Sequence, residues 1–292
     1  MPSALPYEIV DVFTDRPYAG NPLAVVFDAD GLGDGQLQAI AREFNLSETV
    51  FVLPPTAAGA TYRARIFTPA HELPFAGHPS VGVAATQLRR GLFPAGQVVQ
   101  ECGAGLLPIN VYEDGHATLT GGAPTIGPAL DPGPLLAAAG LSDVDFAGPA
   151  PRLAGCGLEF PFLAVHAESV AKAELDVAAA RAHGVRQVSV FAWDAATSTA
   201  HTRVFVPGVG VPEDPATGSA ALGLGVWLVT SGLLPADAES SYTVRQGGEI
   251  QRPSTLDCMV TARRGQVVSA TVTGRVAPVA RGEILVPPIE SQ

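Results

Sequence analysis

The 292-residue chain carries 28 acidic against 17 basic side chains, a formal net charge of −11 that argues against nucleic acid as a partner. Apolar residues at 47% and charged residues at 15% point to a folded chain with a sizeable core, not a disordered one. Lys172 is the only lysine, and it sits in a stretch of alternating charge and alanine, so Schiff-base and pyridoxal chemistries, which need an amine in the site, are set aside.

Taken in chain order, Tyr7 to Phe13, Leu23 to Phe27 and Thr49 to Leu53 read as strands, with a helix over Gly35 to Glu43. An arginine-aromatic strand ends at Pro69, and an apolar, glycine- and alanine-rich helix opens after Gly77. Weaker helices are expected over Pro134 to Ala139 and Val170 to Ala182, and a strand over Val185 to Ala192. A second apolar helix opens after Gly218, followed by strands at Tyr242 to Val244, Met259 to Ala262 and Val267 to Val272. Glycine (32) and proline (26) lie scattered between these runs without a three-residue period, which marks many tight turns and excludes a collagen-like chain.

The longest unbroken apolar or glycine run, Ala220 to Val229, is about half of what a membrane span needs. The opening residues have neither the basic nor the apolar region of a secretory signal. Cys102, Cys156 and Cys258 are unclustered and fit reduced thiols better than a disulfide framework. The expectation is a cytoplasmic protein without a membrane partner.

Two segments repeat one pattern. Glu72, Pro74, Gly77, Gly82 and Gly91 match Glu213, Pro215, Gly218, Gly223 and Gly232 at an offset of 141, and the preceding strands match at 138. Duplication of a strand-loop-helix unit explains this better than two independent units. Pro79 suits the first turn of its helix, and Gly91 and Gly232 suit left-handed helix ends. Both helices are apolar nearly all round and are expected to be buried. The fold class is therefore α+β, with two similar halves, each a curved sheet wrapped on one helix. The halves are expected at 1–125 and 126–275, the last strand, about 276–292, rejoining the first half.

Symmetry suggests where chemistry could lie. Two related helix N-termini would each offer free backbone amides and a positive dipole end, and a cleft between the halves would make them a trap for a carboxylate. His78 and Ser219 stand at the two helix starts, Asp214 in the loop before the second, and Glu48 between a helix and a strand. A carboxylate, an imidazole, a second carboxylate and a hydroxyl suit proton transfer. Each also has a plainer role: Glu48 as a turn acid, His78 as a structural histidine, Asp214 or Ser219 as a helix cap. His71, His116, His166, His183 and His201 lack zinc-motif spacing, no metal is expected, and no nucleophile elbow or full dinucleotide fingerprint occurs.

At these residues the sequence resembles the phenazine-biosynthesis isomerase (PhzF-like) family. The matching pieces are Asp11 to Thr14, Gly20 to Val25, Asn45 to Thr49, Phe67 to Pro69, Glu72 to Pro79, Glu213 to Ala220 and Gln246-Gly247. The resemblance implies the diaminopimelate epimerase fold and a cofactor-independent isomerase, often a homodimer, acting on a small carboxylate such as dihydro-3-hydroxyanthranilate. Carried over, Glu48 is the general acid/base, and His78, Asp214 and Ser219 hold and polarise the substrate. Gly77, Thr217 and Gly218 bind it at the helix starts. Diaminopimelate epimerases and proline racemases of this fold use one thiol from each half. The three cysteines here fall outside both helix-opening motifs, which speaks against that chemistry. A non-catalytic carboxylate-binding protein, or an epimerase or racemase of another substrate, stays open from sequence.

Overall fold

A computed structural model describes residues 3–207 and 212–288. The first two positions of the opening segment and positions 289–292 of the expected closing segment lie outside the described residues. The chain divides into two compact units, Met1–Leu119 with Thr273–Gln292, and Thr120–Val272.

The first unit contains β1 (Ala4–Val12), β2 (Asn21–Val26), β3 (Glu48–Leu53), β4 (Tyr62–Phe67), the two-residue β5 (Glu72–Leu73), β6 (Gly96–Cys102), β7 (Gly105–Val111) and β8 (His116–Thr120). β1 runs antiparallel to β2 and to the end of the long last strand, Gln266–Leu285. β2 and β3 are parallel, β3 and β4 antiparallel, and β4 and β6 parallel. β6, β7 and β8 form an antiparallel meander, and β8 pairs back onto the last strand, so the sheet closes on itself. Helix α1 (Asp34–Phe44) buries Leu37, Ile40 and Ala41 against Leu5, Val26, Phe51 and Phe67.

Helix α2 (Gly77–Arg89) contacts β1, β2, β3 and β7, and every residue from Gly77 to Gln87 is buried. An all-round apolar helix can be covered in this way only if its neighbours come close. Gly82 permits this, because a Cβ there would lie 2.5 Å from the Leu23 side chain and 2.7 Å from that of Val12. The helix stops at Gly91, whose φ of 72° is left-handed. The Gly91 amide donates to Leu88 and the Leu92 amide to Gln87, which satisfies the last carbonyls.

The second unit holds β9 (Pro124–Ala129), β10 (Arg152–Cys156), β11 (Glu159–Ala164), β12 (Val188–Asp194), β13 (Thr199–Phe205), the two-residue β14 (Glu213–Asp214), β15 (Glu239–Gln246), β16 (Ser254–Arg263) and the start of β17 (Gln266–Leu285). The pairing scheme repeats that of the first unit. β12 and β13 are antiparallel, β13 and β14 antiparallel, and β13 and β15 parallel. Its short helices are α3 (Pro132–Ala138), α4 (Ala167–Val170) and α5 (Val177–His183). Helix α6 (Gly218–Thr230) is buried from Gly218 to Val229 against β9, β10, β11 and β16. Gly223 is the close-approach point, 2.8 Å from the Ala154 carbonyl if it bore a Cβ, and Gly232 ends the helix at φ 73° with the same pair of terminal hydrogen bonds.

The duplication extends to its fastenings. Arg65 on β4 grips Glu72 on β5 through Nε–Oε1 at 2.8 Å and a second nitrogen at 2.6 Å. Arg203 on β13 grips Glu213 on β14 in the same bidentate way, at 2.9 and 2.6 Å. Each pair ties the short strand before a central helix to the sheet. One expected element differs: the helix over Val170 to Ala182 is two helices. Between them the Glu174 and Asp176 amides donate to the end of α3, Arg203 takes the Ala173 carbonyl, and Asp176 caps α5 through Ala179 at 2.8 Å. The backbone groups that a continuous helix needs are committed elsewhere.

Candidate active site

In the first unit the parallel register of β2 and β3, with Leu23 opposite Glu48, brings the starts of both strands side by side. α1 ends at Asn45 in the left-handed conformation (φ 51°), and the turn that follows delivers Ser47 and Glu48 to that edge. The first turn of α2 delivers His78. Glu48 Oε2 lies 3.6 Å from His78 Nε2, with the glutamate side chain 17% and the histidine 5% exposed. On the ring's other side, Nδ1 lies 3.3 Å from the Asn21 side-chain amide, and Asn21 Oδ1 accepts from Ser47 Oγ at 3.2 Å.

Burial lowers the pKa of His78 to about 3, opposed by a hydrogen bond to the Pro22 carbonyl. The ring is therefore neutral at physiological pH. Glu48 thus has a polar, uncharged ring as a neighbour. The cap of α2, Ala76, offers no side-chain bond to the helix, so the amides of its first turn rely on other partners.

In the second unit the loop from Asp214 to Thr217 is held by an interlocked set of bonds. Thr217, the N-cap of α6, donates its hydroxyl proton to Asp214 Oδ2 at 2.6 Å, and its side chain accepts no bond from the helix amides. Its amide donates to Gln246 Oε1 at 3.2 Å, while Gln246 Nε2 donates to the Asp214 carbonyl at 2.6 Å and to Thr217 Oγ1 at 3.0 Å. Ser254 Oγ donates to the Pro215 carbonyl at 3.0 Å. Ser219 is buried in the first turn. Neither Asp214 nor Ser219 is the cap residue of α6; Asp214 is a hydrogen-bond acceptor for the residue that is.

The structure thus brings Glu48 and His78 together in one unit, and Asp214, Thr217, Gly218 and Ser219 together in the other. Asn21, Ser47 and Gln246 join them; in sequence they lie inside the matching motifs but carry no assigned role. Gln246 left a usable signal: strict alternation along β15 puts it on the same buried face as Tyr242 and Val244. A polar amide on an apolar face must be bonded to something.

The thiols are elsewhere. Cys156 and Cys258 are buried, and burial raises both thiol pKa values, that of Cys156 to about 12. Cys102 is half-buried at the end of β6. Lys172 is exposed. Among the described residues no cluster of histidine, cysteine and carboxylates is placed to hold a metal ion. No described helix is long and apolar enough to cross a membrane.

Each unit is a curved sheet wrapped on a central helix, which defines an α+β fold. A probable proline racemase from Agrobacterium radiobacter shares this fold at a TM-score of 0.66 and 14% identity, covering 98% of this chain and 94% of that one. A PhzF-family protein of Bacillus anthracis superposes with a TM-score of 0.87 at 26% identity, covering 98% of this chain and all of the other. The model of the phenazine biosynthesis-like protein family matches residues 10–282, and the chain belongs to that family. An uncharacterized isomerase of Mesorhizobium japonicum is 37% identical, over 96% of this chain and 98% of its own length. The trans-2,3-dihydro-3-hydroxyanthranilate isomerase of Pseudomonas chlororaphis is 33% identical, over 96% and 99%. The chain is an isomerase of this family.

Proposed function

We propose that the chain moves a proton within a small cyclic carboxylic acid resembling dihydro-3-hydroxyanthranilate, with Glu48 as the general acid/base. The observation that carries this reading is the Glu48 carboxylate lying 3.6 Å from a buried, neutral His78. A carboxylate can take a proton from a ring carbon. The C–H electron pair then shifts through the adjacent double bond, and the resulting acid returns the proton at the far carbon. Nothing is oxidised or reduced, so no redox cofactor enters. A neutral imidazole suits hydrogen bonding to a substrate oxygen or amine.

In the same reading His78, Asp214 and Ser219 hold and polarise the substrate, and Gly77, Thr217 and Gly218 receive its oxygens at the helix starts. The family names of the relatives support the isomerisation, and the raised thiol pKa values speak against a two-cysteine route. The reading carries a cytoplasmic homodimer that needs no cofactor. Sedimentation of the purified chain checks the dimer.

The decisive experiment incubates trans-2,3-dihydro-3-hydroxyanthranilate with wild type and Glu48→Gln in D2O and follows deuterium entry by NMR. Glu48→Gln is expected to fold normally and to lose about 100-fold or more in exchange, the usual contribution of a general acid/base. Exchange at the wild-type rate removes Glu48 from the mechanism.

A further inference from the structure

We propose that Gln246 is a positioning residue of the isomerase: its side-chain amide fixes the Asp214 carboxylate and the opening turn of α6. The inference rests on the placement of Asp214 in the site given under Proposed function.

Gln246 ends β15 and is 2% exposed, and its side chain uses both its carbonyl and its amino group on one loop. The order of these bonds sets a direction. A threonine hydroxyl has one proton to give. Because Gln246 Nε2 donates to Thr217 Oγ1, that oxygen acts there as acceptor, and its own proton goes to Asp214 Oδ2. The side chain of Gln246 thereby dictates what Thr217 offers Asp214, and its bond to the Asp214 carbonyl holds the backbone beneath that carboxylate.

A cap built only for stability would turn the Thr217 hydroxyl onto the second or third amide of α6. Here it is diverted, and no side-chain cap bond reaches the helix. The duplicated unit supplies the control. β6 lies beside β4 as β15 lies beside β13, with Tyr62 opposite Gln100 and Ala200 opposite Val244. That register puts Cys102 at the position of Gln246, and Gly103 against Pro74 as Gly247 lies against Pro215. The first unit fastens Pro74 through the Ala104 amide at 2.9 Å and needs no glutamine. The frame can be built without this amide, so its presence in the second unit answers to Asp214 and not to the fold.

The test compares Gln246→Met, which keeps bulk without polar groups, and Gln246→Glu, which keeps an acceptor for the Thr217 amide but turns the Thr217 hydroxyl away from Asp214. Asp214→Asn and the double variant Asp214→Asn/Gln246→Met run beside them. Tyr242→Phe is the stability control, since its hydroxyl is engaged only with core groups away from Asp214: the Ala221 carbonyl, the Gly225 backbone and the Cys258 thiol. The probe is trans-2,3-dihydro-3-hydroxyanthranilate. Both Gln246 variants are expected to lose tenfold or more in kcat/KM, the double variant no more than Asp214→Asn alone, and Tyr242→Phe less than twofold at 25 °C. Wild-type kinetics in Gln246→Met beside an inactive Asp214→Asn overturn the inference alone, as do independent, multiplying losses in the double variant. Full activity of Asp214→Asn overturns instead the placement of Asp214. If wild type is inert toward this compound, amide hydrogen exchange decides: Thr217 and Gly218 must exchange at least tenfold faster in Gln246→Met than in Tyr242→Phe. Equal rates overturn the inference.

Discussion

Acidification should weaken the first unit through one side chain. Burial holds His78 neutral, with a folded-state pKa of about 3 against an ordinary value of 6.5. An unfolded chain takes up a proton at His78 below pH 6.5, and the folded chain refuses it until about pH 3. The stability owed to the neutral ring is thus fully present above pH 6.5 and is lost as pH falls through that window. A tenfold difference in proton affinity is worth about 1.4 kcal/mol, so between pH 6.5 and pH 4 the ceiling is about 3 kcal/mol. His78→Gln has no such proton to take. Both tryptophans, Trp193 and Trp227, belong to the second unit, so fluorescence reports the wrong half. Hydrogen exchange of α2 amides between pH 7 and pH 4, corrected for intrinsic rates, reads the right one. The wild type should lose up to about 3 kcal/mol more protection than His78→Gln over this range. Equal slopes in the two proteins, or a His78 ring resonance titrating near pH 6.5, would refute the reasoning.

The remaining predictions concern fastenings, packing and thiols. Glu213→Ala strands the Arg203 guanidinium in a site where both partners are 8% exposed, and should destabilise the second unit by about 3–5 kcal/mol in urea unfolding. The matching Glu72→Ala breaks a pair with side chains 21% and 42% exposed, and should cost about 1 kcal/mol or less. Gly223→Ala pushes a methyl to 2.8 Å from a backbone carbonyl that cannot rotate away, and should lower stability by about 1–3 kcal/mol. In the native protein a thiol reagent should label Cys102 well before Cys156 and Cys258, and a triple Cys→Ser variant that stays folded should keep its isomerase activity. Loss of activity there without loss of fold would reopen a thiol mechanism.

The central helices were legible because their signals are local. Apolar residues on every face demand burial, and a glycine at each end demands a left-handed stop; Gly91 and Gly232 supply it. Glu48 and His78 were each visible as residues, but their meeting depends on the packing of α2 against β2 and β3, which no local pattern encodes. The Arg65–Glu72 and Arg203–Glu213 pairs were hidden for the same reason, although all four residues lay inside the repeated segments. The helix expected over Val170 to Ala182 failed through long-range competition. Its alanines favour a helix, but Arg203 and the end of α3 claim the backbone between Ala171 and Asp176.

Duplication separates scaffold from chemistry, because two copies of one unit should agree wherever folding sets the residue. They agree at the Arg–Glu fastening, at the close-approach glycines Gly82 and Gly223, and at the helix ends. They disagree at the helix starts. One copy opens on His78, with Glu48 and Asn21 around the ring; the other opens on Ser219, with Asp214, Thr217 and Gln246 before it. They disagree again where Cys102 stands in the register of Gln246. Folding alone gives no reason for a buried imidazole in one copy and an amide-locked carboxylate in the other, since each costs desolvation that an apolar residue would avoid. The asymmetry therefore falls on the residues that the proposed proton transfer would use, and the shared residues are those of the scaffold around them.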